Sequence, residues 1–385
     1  MKAVSTVISI HSSDTAGVCS ALYELGGMTV VHDASGCNST YATHDEPRWY
    51  EGGGMVYISG LTEAEAIMGD DDAFITKVVR AAEDLGTCRF IAICGSPMPM
   101  MIGTDFDALA KIIAGKTNLP VIPLHTNGMR SYLAGMAESF TALAERFCSE
   151  GLKKCPGTVN VLGATPLDFS VNGQVESICS WLREEGFQVR SCWAMGSTLD
   201  ELSPAPEAEV NLVISSGALA LGAYFETRFG IPFVTGVPVG EKFAACLARA
   251  LREAARSGRS SRPCLDCRRG DPAGPGIIGE TVMSSSLACA LELECALPCR
   301  VLNPLEPEFS LPGQGDLSVP DEETVGAAFA QAPAVIGDPL YRPIVPAGRP
   351  FISLPHEAFS GRCFRKEMKN LIGSNFAKEF PSCLK

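Results

Sequence analysis

The sequence predicts an α/β protein built from three consecutive units, each a parallel sheet flanked by helices. Short β-rich runs alternate with longer helical patterns along most of the chain, the signature of βαβ units and parallel sheets. At 385 residues the chain is too long for one ordinary core, so two or three domains are expected. The segments SEGLKKCPG (149–157) and SGRSSRPCLDCRRGDPAGPG (257–276) read as a hinge and a linker, rich in Gly, Pro and polar residues. Together these place domains at 1–155, 156–262 and 263–385.

In the first unit AVSTVISI, MTVVH, RFIAIC and LPVIPLH read as strands, with helices at about 14–25, 72–85, 104–115 and 131–150. The second unit opens with TVNVLG, then the helix VNGQVESICSWLREEG and the strands FQVRSCW and EVNLVIS. A helix ending in ETRFG and a short PFV strand complete it. The third begins with IIGE, a helix over 282–295 and PCRVLNP, with later strands at AVIG and PFISLP.

Lys and Arg number 31 against 44 Asp and Glu, a net charge of −13, which argues against nucleic acid and anionic membranes as partners. No apolar run approaches the roughly 18–20 residues that span a bilayer. The N-terminal MKAVSTVISIHSSD lacks the apolar core of an export signal, so a cytoplasmic protein is expected. There the sixteen cysteines stay reduced, free to bind metal or to fill the core as small hydrophobes.

Two apparent nucleotide motifs fail on context. GPGIIG (274–279) has the letters of a dinucleotide fingerprint, but its glycines precede a strand instead of following one. AGKT (114–117) has Ala110 where a phosphate loop needs its first glycine, and runs from helix to strand. The chain is expected to bind no ATP itself.

Functional groups of an open parallel sheet gather beyond the carboxyl ends of its strands. Cys94 ends RFIAIC, Cys37 follows MTVVH by five residues, and Cys19 lies in the helix after the first predicted strand. All three point to one sheet edge, as metal ligands or as core thiols. Three thiols are one short of the usual four for an iron–sulfur cluster, but two copies of the chain would bring six to a shared interface.

These residues resemble the nitrogenase component 1 family: an early Cys19, Gly36-Cys37 in HDASGC, and Cys94 in CGSPMPMMIGTD. Along the rest of the chain LPVIPLHTNG, VNVLG, EEGFQV, MGSTLDEL, NLVISSGALALGAYFETRFGIPFV and AVIGDPLYRPI are also family-like, in order. The resemblance implies three Rossmann-like domains and a homodimer, or a heterodimer with a related subunit. It also implies an iron–sulfur cluster on Cys19, Cys37 and Cys94 at the dimer interface, either 4Fe–4S or a larger P-cluster-like one. Electrons would come from a separate ATP-hydrolysing iron protein. The family's second-domain cofactor cysteine is missing, since that region reads Ile214-Ser215-Ser216-Gly217, which places dinitrogen reduction in doubt. His356, in FISLPHEAFSGR, lines the cavity between domains as a candidate catalytic residue, or bonds to its own loop.

Other candidates have milder readings. Cys264 and Cys267 form a CxxC that suits zinc or a redox pair, or two unrelated thiols. Cys295 and Cys299 read as core residues, and Cys88 as the start of a strand or a neighbour of the cluster. His32, Asp33 and His44 flank Cys37 as possible ligands, with Asp33 as a turn cap the alternative. Arg48, Trp49 and Tyr50 read as a surface loop or dimer contact, and Met98, Met100 and Met101 as a shield for the cluster or ordinary packing. The expected function is the catalytic component of a two-component reductase acting on a tetrapyrrole-like or small substrate; the alternative is a scaffold for metallocofactor assembly.

Overall fold

The computed structural model describes residues 5–9, 11–34, 36, 38–41, 43–52 and 54–380. The chain forms two compact units, Ser12–Cys148 with Ala194–Ser203, and Met1–His11 with Ser149–Trp193 and Pro204–Lys385. Three parallel α/β sheets run through them, as the alternating pattern predicts.

The unit containing Ser12–Cys148 holds strands β1 Met28–His32, β2 Met55–Ile58, β3 Ile91–Gly95 and β4 Val121–Leu124, in the order β2-β1-β3-β4, all parallel. β1 and β3 are buried at every position, as central strands of a sheet covered on both faces must be. On one face Met28, Val30, Ile91 and Ile93 pack against Phe74, Ile75 and Val78 of helix Asp71–Leu85, and against Phe106, Leu109 and Ile113 of helix Phe106–Thr117. Asp70 and Asp105 start those helices by accepting the amides of Ala73 and Ala108.

Helices Asp14–Leu22 and Tyr132–Phe147 meet with almost no side chain between them. A Cβ on Gly17 would lie 1.9 Å from the Tyr132 carbonyl oxygen, and one on Gly135 the same distance from that of Asp14. The two glycines let the backbones touch, and this contact fixes the helix that carries Cys19.

The other unit holds two sheets. The first contains β5 Thr158–Ala164, β6 Gln188–Ala194, β7 Val210–Val213 and β8 Phe233–Thr235, ordered β6-β5-β7-β8. The second contains β9 Gly276–Ile278, β10 Arg300–Asn303, β11 Leu317–Ser318, β12 Val335–Gly337 and β13 Phe351–Ser353, ordered β11-β10-β9-β12-β13. Gly276 of GPGIIG lies within β9, and AGKT ends helix Phe106–Thr117, so neither has the strand–loop–helix context of a phosphate site.

Two expectations about strands need correcting. AVSTVISI is not a strand over residues 5–9: the amides of Thr6, Val7 and Ile8 all donate to the Glu322 carboxylate, which leaves none of them for a ladder. The edge beside β1 belongs to Met55–Ile58, which the glycine-rich EGGG before it had masked. Residues 257–276 are also more ordered than a linker. They contain the helical turn Pro263–Asp266, and Arg268 forms a buried ion pair with Asp316.

Candidate functional site

Cys94 ends β3 with no exposed surface, and Cys19 is equally enclosed in helix Asp14–Leu22. They lie close enough for Cys19 to act electrostatically on Cys94. Burial raises the Cys19 thiol to about 12, with the Glu46 carboxylate adding to it. Burial likewise raises Cys94 well above the ordinary thiol range, with Cys19 and Asp14 contributing. Cys19 is the sixth residue of its helix, beyond the first turn where free amides favour a thiolate. Cys37 lies outside the described residues.

A chain of hydrogen bonds ties together the segments carrying the three cysteines. The Thr15 hydroxyl, one turn before Cys19, donates to Asn38 Oδ1 at 3.1 Å. Asn38, next to Cys37, donates through Nδ2 to Asp33 Oδ2 at 2.7 Å. The Ser96 hydroxyl, two residues after Cys94, donates to Asp33 Oδ1 at 2.8 Å. Asp33 therefore joins the loops after β1 and β3, a larger part than capping a turn, and both its oxygens are already used.

His32 does not suit a ligand. Its ring packs tilted against Phe74 at 4.2 Å between centroids, Nδ1 lies 2.8 Å from Ser59 Oγ, and burial lowers its pKa to about 4, with Lys77 contributing. His44 is partly exposed beside Asp45. Cys88 precedes β3, at the opposite end from Cys94, and its thiol donates to the Phe90 carbonyl, so it is no neighbour of the site.

Four residues that the sequence did not single out as a group enclose this edge. Asp14, buried at the start of its helix, accepts the amides of Asn127 and Gly128 after β4. Thr126 bonds both the amide and the carbonyl of Gly95. Tyr41 donates to Glu46 Oε2 at 3.2 Å, and Glu46 Oε1 accepts from Arg48 Nε at 2.6 Å. Arg48 corrects an expectation: it is no surface residue but is buried, reaching Glu24 Oε1 at 3.0 Å and the Ser20 carbonyl at 2.8 Å over the Tyr23 ring. Beside it Trp49 and Tyr50 are exposed, Tyr50 at 81%. Met98, Met100 and Met101 also reach the surface, Met101 at 81% exposure.

Among the described residues no three His, Cys, Asp or Glu side chains form a metal-holding group. The donors present nonetheless suit iron and sulfide: soft thiols, buried, and kept protonated by an environment that only an added positive charge would relieve.

The second candidate region is a cleft between the two sheets of the larger unit, with about 40 Å3 of free space, room for a few waters. His356, Asp168, Glu280, Asp338 and Lys369 are its ionisable lining. His356 caps helix Glu357–Ser360, with Nδ1 accepting the Ala358 amide at 3.3 Å, which leaves the proton on Nε2, 3.3 Å from Asp168 Oδ1. His356 thus bonds to its own loop and also lines the cleft. Asp338 fixes it by accepting its amide at 2.7 Å.

Glu280 accepts the amides of Ser216, Val282 and Met283, clamping the turn after β7 to the start of helix Thr281–Cys295. Its carboxyl pKa is raised, first by burial and then by Asp168. The turn it holds contains Ser215 and Ser216, where the expected thiol is missing.

The CxxC does not form a pair. Cys264 is buried against helix Thr281–Cys295, its carbonyl accepting from the Cys289 thiol at 3.2 Å, while Cys267 turns to Cys246 on another helix. Cys299 is buried and Cys295 half-buried at a helix end, consistent with packing.

Parallel sheets with helices on both faces, buried thiols at one carboxyl edge and a polar cleft elsewhere define a multidomain Rossmann-like protein. The chain belongs to the nitrogenase component 1 type oxidoreductases, whose family model matches residues 14–263, and membership implies iron–sulfur binding. It is 26% identical over 229 residues to the nitrogenase iron-molybdenum cofactor biosynthesis protein NifE of Clostridium pasteurianum, covering 56% of this chain and 48% of that protein. It is 22% identical over 224 residues to the nitrogenase molybdenum-iron protein alpha chain of Crocosphaera subtropica, covering 53% and 45%. The chain thus spans about half the length of the curated relatives it matches. The solved structure of nitrogenase Cp1 at pH 5 shares the fold, with TM-score 0.58 and 16% identity over 85% of this chain and 72% of that one. Among the described residues no helix is long and apolar enough to cross a membrane.

Proposed function

We propose that this protein is the catalytic component of a nitrogenase-like two-component reductase, with Cys19, Cys37 and Cys94 as ligands of an iron–sulfur cluster shared between two chains. The observation that carries this reading is the Thr15–Asn38–Asp33–Ser96 chain, which links all three cysteine-bearing segments at one sheet edge. The cluster, when bound, supplies one-electron transfer. Around it, burial of Cys19 and Cys94 excludes water, and Asp33 holds the two loops in register. The outward-facing Met98, Met100, Met101, Trp49 and Tyr50 give a second copy, or a related chain, an apolar surface to cover. With neither nucleotide motif in a usable context, ATP hydrolysis falls to a separate iron protein.

In the cleft, His356 acts as proton donor through Nε2, oriented by Asp168 and Asp338. At about 40 Å3 the cleft holds no tetrapyrrole without opening, so a small substrate fits its present dimensions better.

The scaffold reading keeps the same cluster site and is supported by serine in place of the cofactor thiol and by NifE among the relatives. The two part on one experiment. Anaerobically purified protein, mixed with its iron protein and ATP, should reduce substrate over many turnovers; release of a metallocofactor once per chain establishes the scaffold instead. An iron content below about two per chain removes both.

A further inference from the structure

A second pair of thiols lies far along the chain from the cluster cysteines. Cys246, on helix Glu241–Ser257, and Cys267, just after the helical turn Pro263–Asp266, are in hydrogen-bonding contact and partly exposed. They line an open groove of about 460 Å3, walled on one side by the helix face of Cys246, Arg249, Ala250 and Glu253. The Arg249 guanidinium donates to Cys246 Sγ at 3.2 Å, placing a cation beside that sulfur. Contact between two thiols, solvent access and an adjacent cation are the conditions under which a dithiol exchanges readily with disulfides. Cys264, though nearer in sequence to Cys267, is fully buried and turned toward Cys289.

We propose that Cys246 and Cys267 form a reversible dithiol–disulfide pair, closed by exchange with a small-molecule disulfide. The Cys246 sulfur attacks one sulfur of the incoming disulfide, whose S–S bond breaks and releases one small thiol carrying the electron pair and a proton. Cys267 then attacks the Cys246 sulfur of the mixed disulfide and displaces the second small thiol. The protein has lost two electrons and two protons, and the small disulfide has become two thiols. The Arg249 guanidinium sits on the Cys246 sulfur, so Cys246 takes the attacking part and Cys267 the resolving one. The new bond ties the helix beside the second sheet to the segment leading into the third, one residue before the buried Arg268–Asp316 pair.

The test uses holoprotein purified without oxygen and treated with oxidised glutathione. The first change expected is loss of two titratable thiols and about 2 Da, reversed by dithiothreitol, with iron content unchanged. Peptide mapping should join residues 243–249 to 260–268 through Cys246 and Cys267. In Cys267→Ser, a glutathione adduct should persist on Cys246. A first bond between Cys264 and Cys267 or between Cys179 and Cys192, or stable adducts on the unaltered protein, overturns the proposal.

Discussion

Cys94 sits where a strand ends, and its burial makes it costly to ionise. Cys94→Ser should strip iron from anaerobically purified protein, whereas Cys246→Ser should leave the iron and sulfide content unchanged. Asp33 acts through the loops it joins: Asp33→Ala should lower bound iron while far-UV circular dichroism stays the same. Arg48 is a different case, the cation of a buried network. Arg48→Met leaves Glu46 buried beside Cys19 without its counter-charge and should destabilise the protein by about 3–5 kcal/mol, read from the denaturant midpoint. His356→Gln removes the proposed proton donor without disturbing the thiol edge. Turnover should fall by about 100-fold with iron unchanged; equal activity would return His356 to a loop-capping part alone.

At the scale of elements, the placement of Cys19 rests on two glycines. Helix Asp14–Leu22 has little amphipathic pattern because every residue in it is buried, so its position is decided by how closely it approaches helix Tyr132–Phe147. A methyl group at Gly17 meets a carbonyl oxygen of the facing backbone, which no side-chain rotation relieves. Gly17→Ala or Gly135→Ala should cost about 3 kcal/mol and move the Cys19 helix outward. Thermal unfolding and iron content report the two effects separately. The first predicted strand fails at this scale too: AVSTVISI alternates well enough, but three of its amides have been claimed by Glu322.

For the molecule as a whole, acid acts on both compact units through buried histidines. Each encloses a histidine whose pKa burial lowers from 6.5 to about 4, His32 in one and His11 in the other. Below pH 6.5 the unfolded chain takes up protons at these positions and the folded chain does not, so stability falls with pH down to about 4 and is unaffected by them above 6.5. Each histidine accounts for about 3 kcal/mol across that window. Unfolding midpoints between pH 4 and 7 should show the decline, and His32→Leu should make it shallower.

Much of this protein is legible in its sequence because the signals are local. MTVVH is β1 residue for residue, and the strands carrying Cys94 and preceding Ser215 fall within a residue or two of their expected places. Alternation of strand and helix signals suffices for the fold class, since parallel strands need helical crossovers. Cys94 could be placed at the carboxyl edge because the end of its strand defines it, whereas Cys19 was placed from AVSTVISI, which is not a strand over residues 5–9. What stayed hidden depends on partners distant in sequence. Arg48 looks like a surface cation until Glu24, Glu46 and Ser20 close around it. The CxxC looks like a pair until a one-turn helix sends Cys264 to Cys289 and Cys267 to Cys246. The sequence by itself determined the fold class and central strands such as β1 and β3, through periodicity and turn chemistry. Only the tertiary structure decided which thiols meet and which charges are buried, because those contacts join elements that are close in space and far apart along the chain.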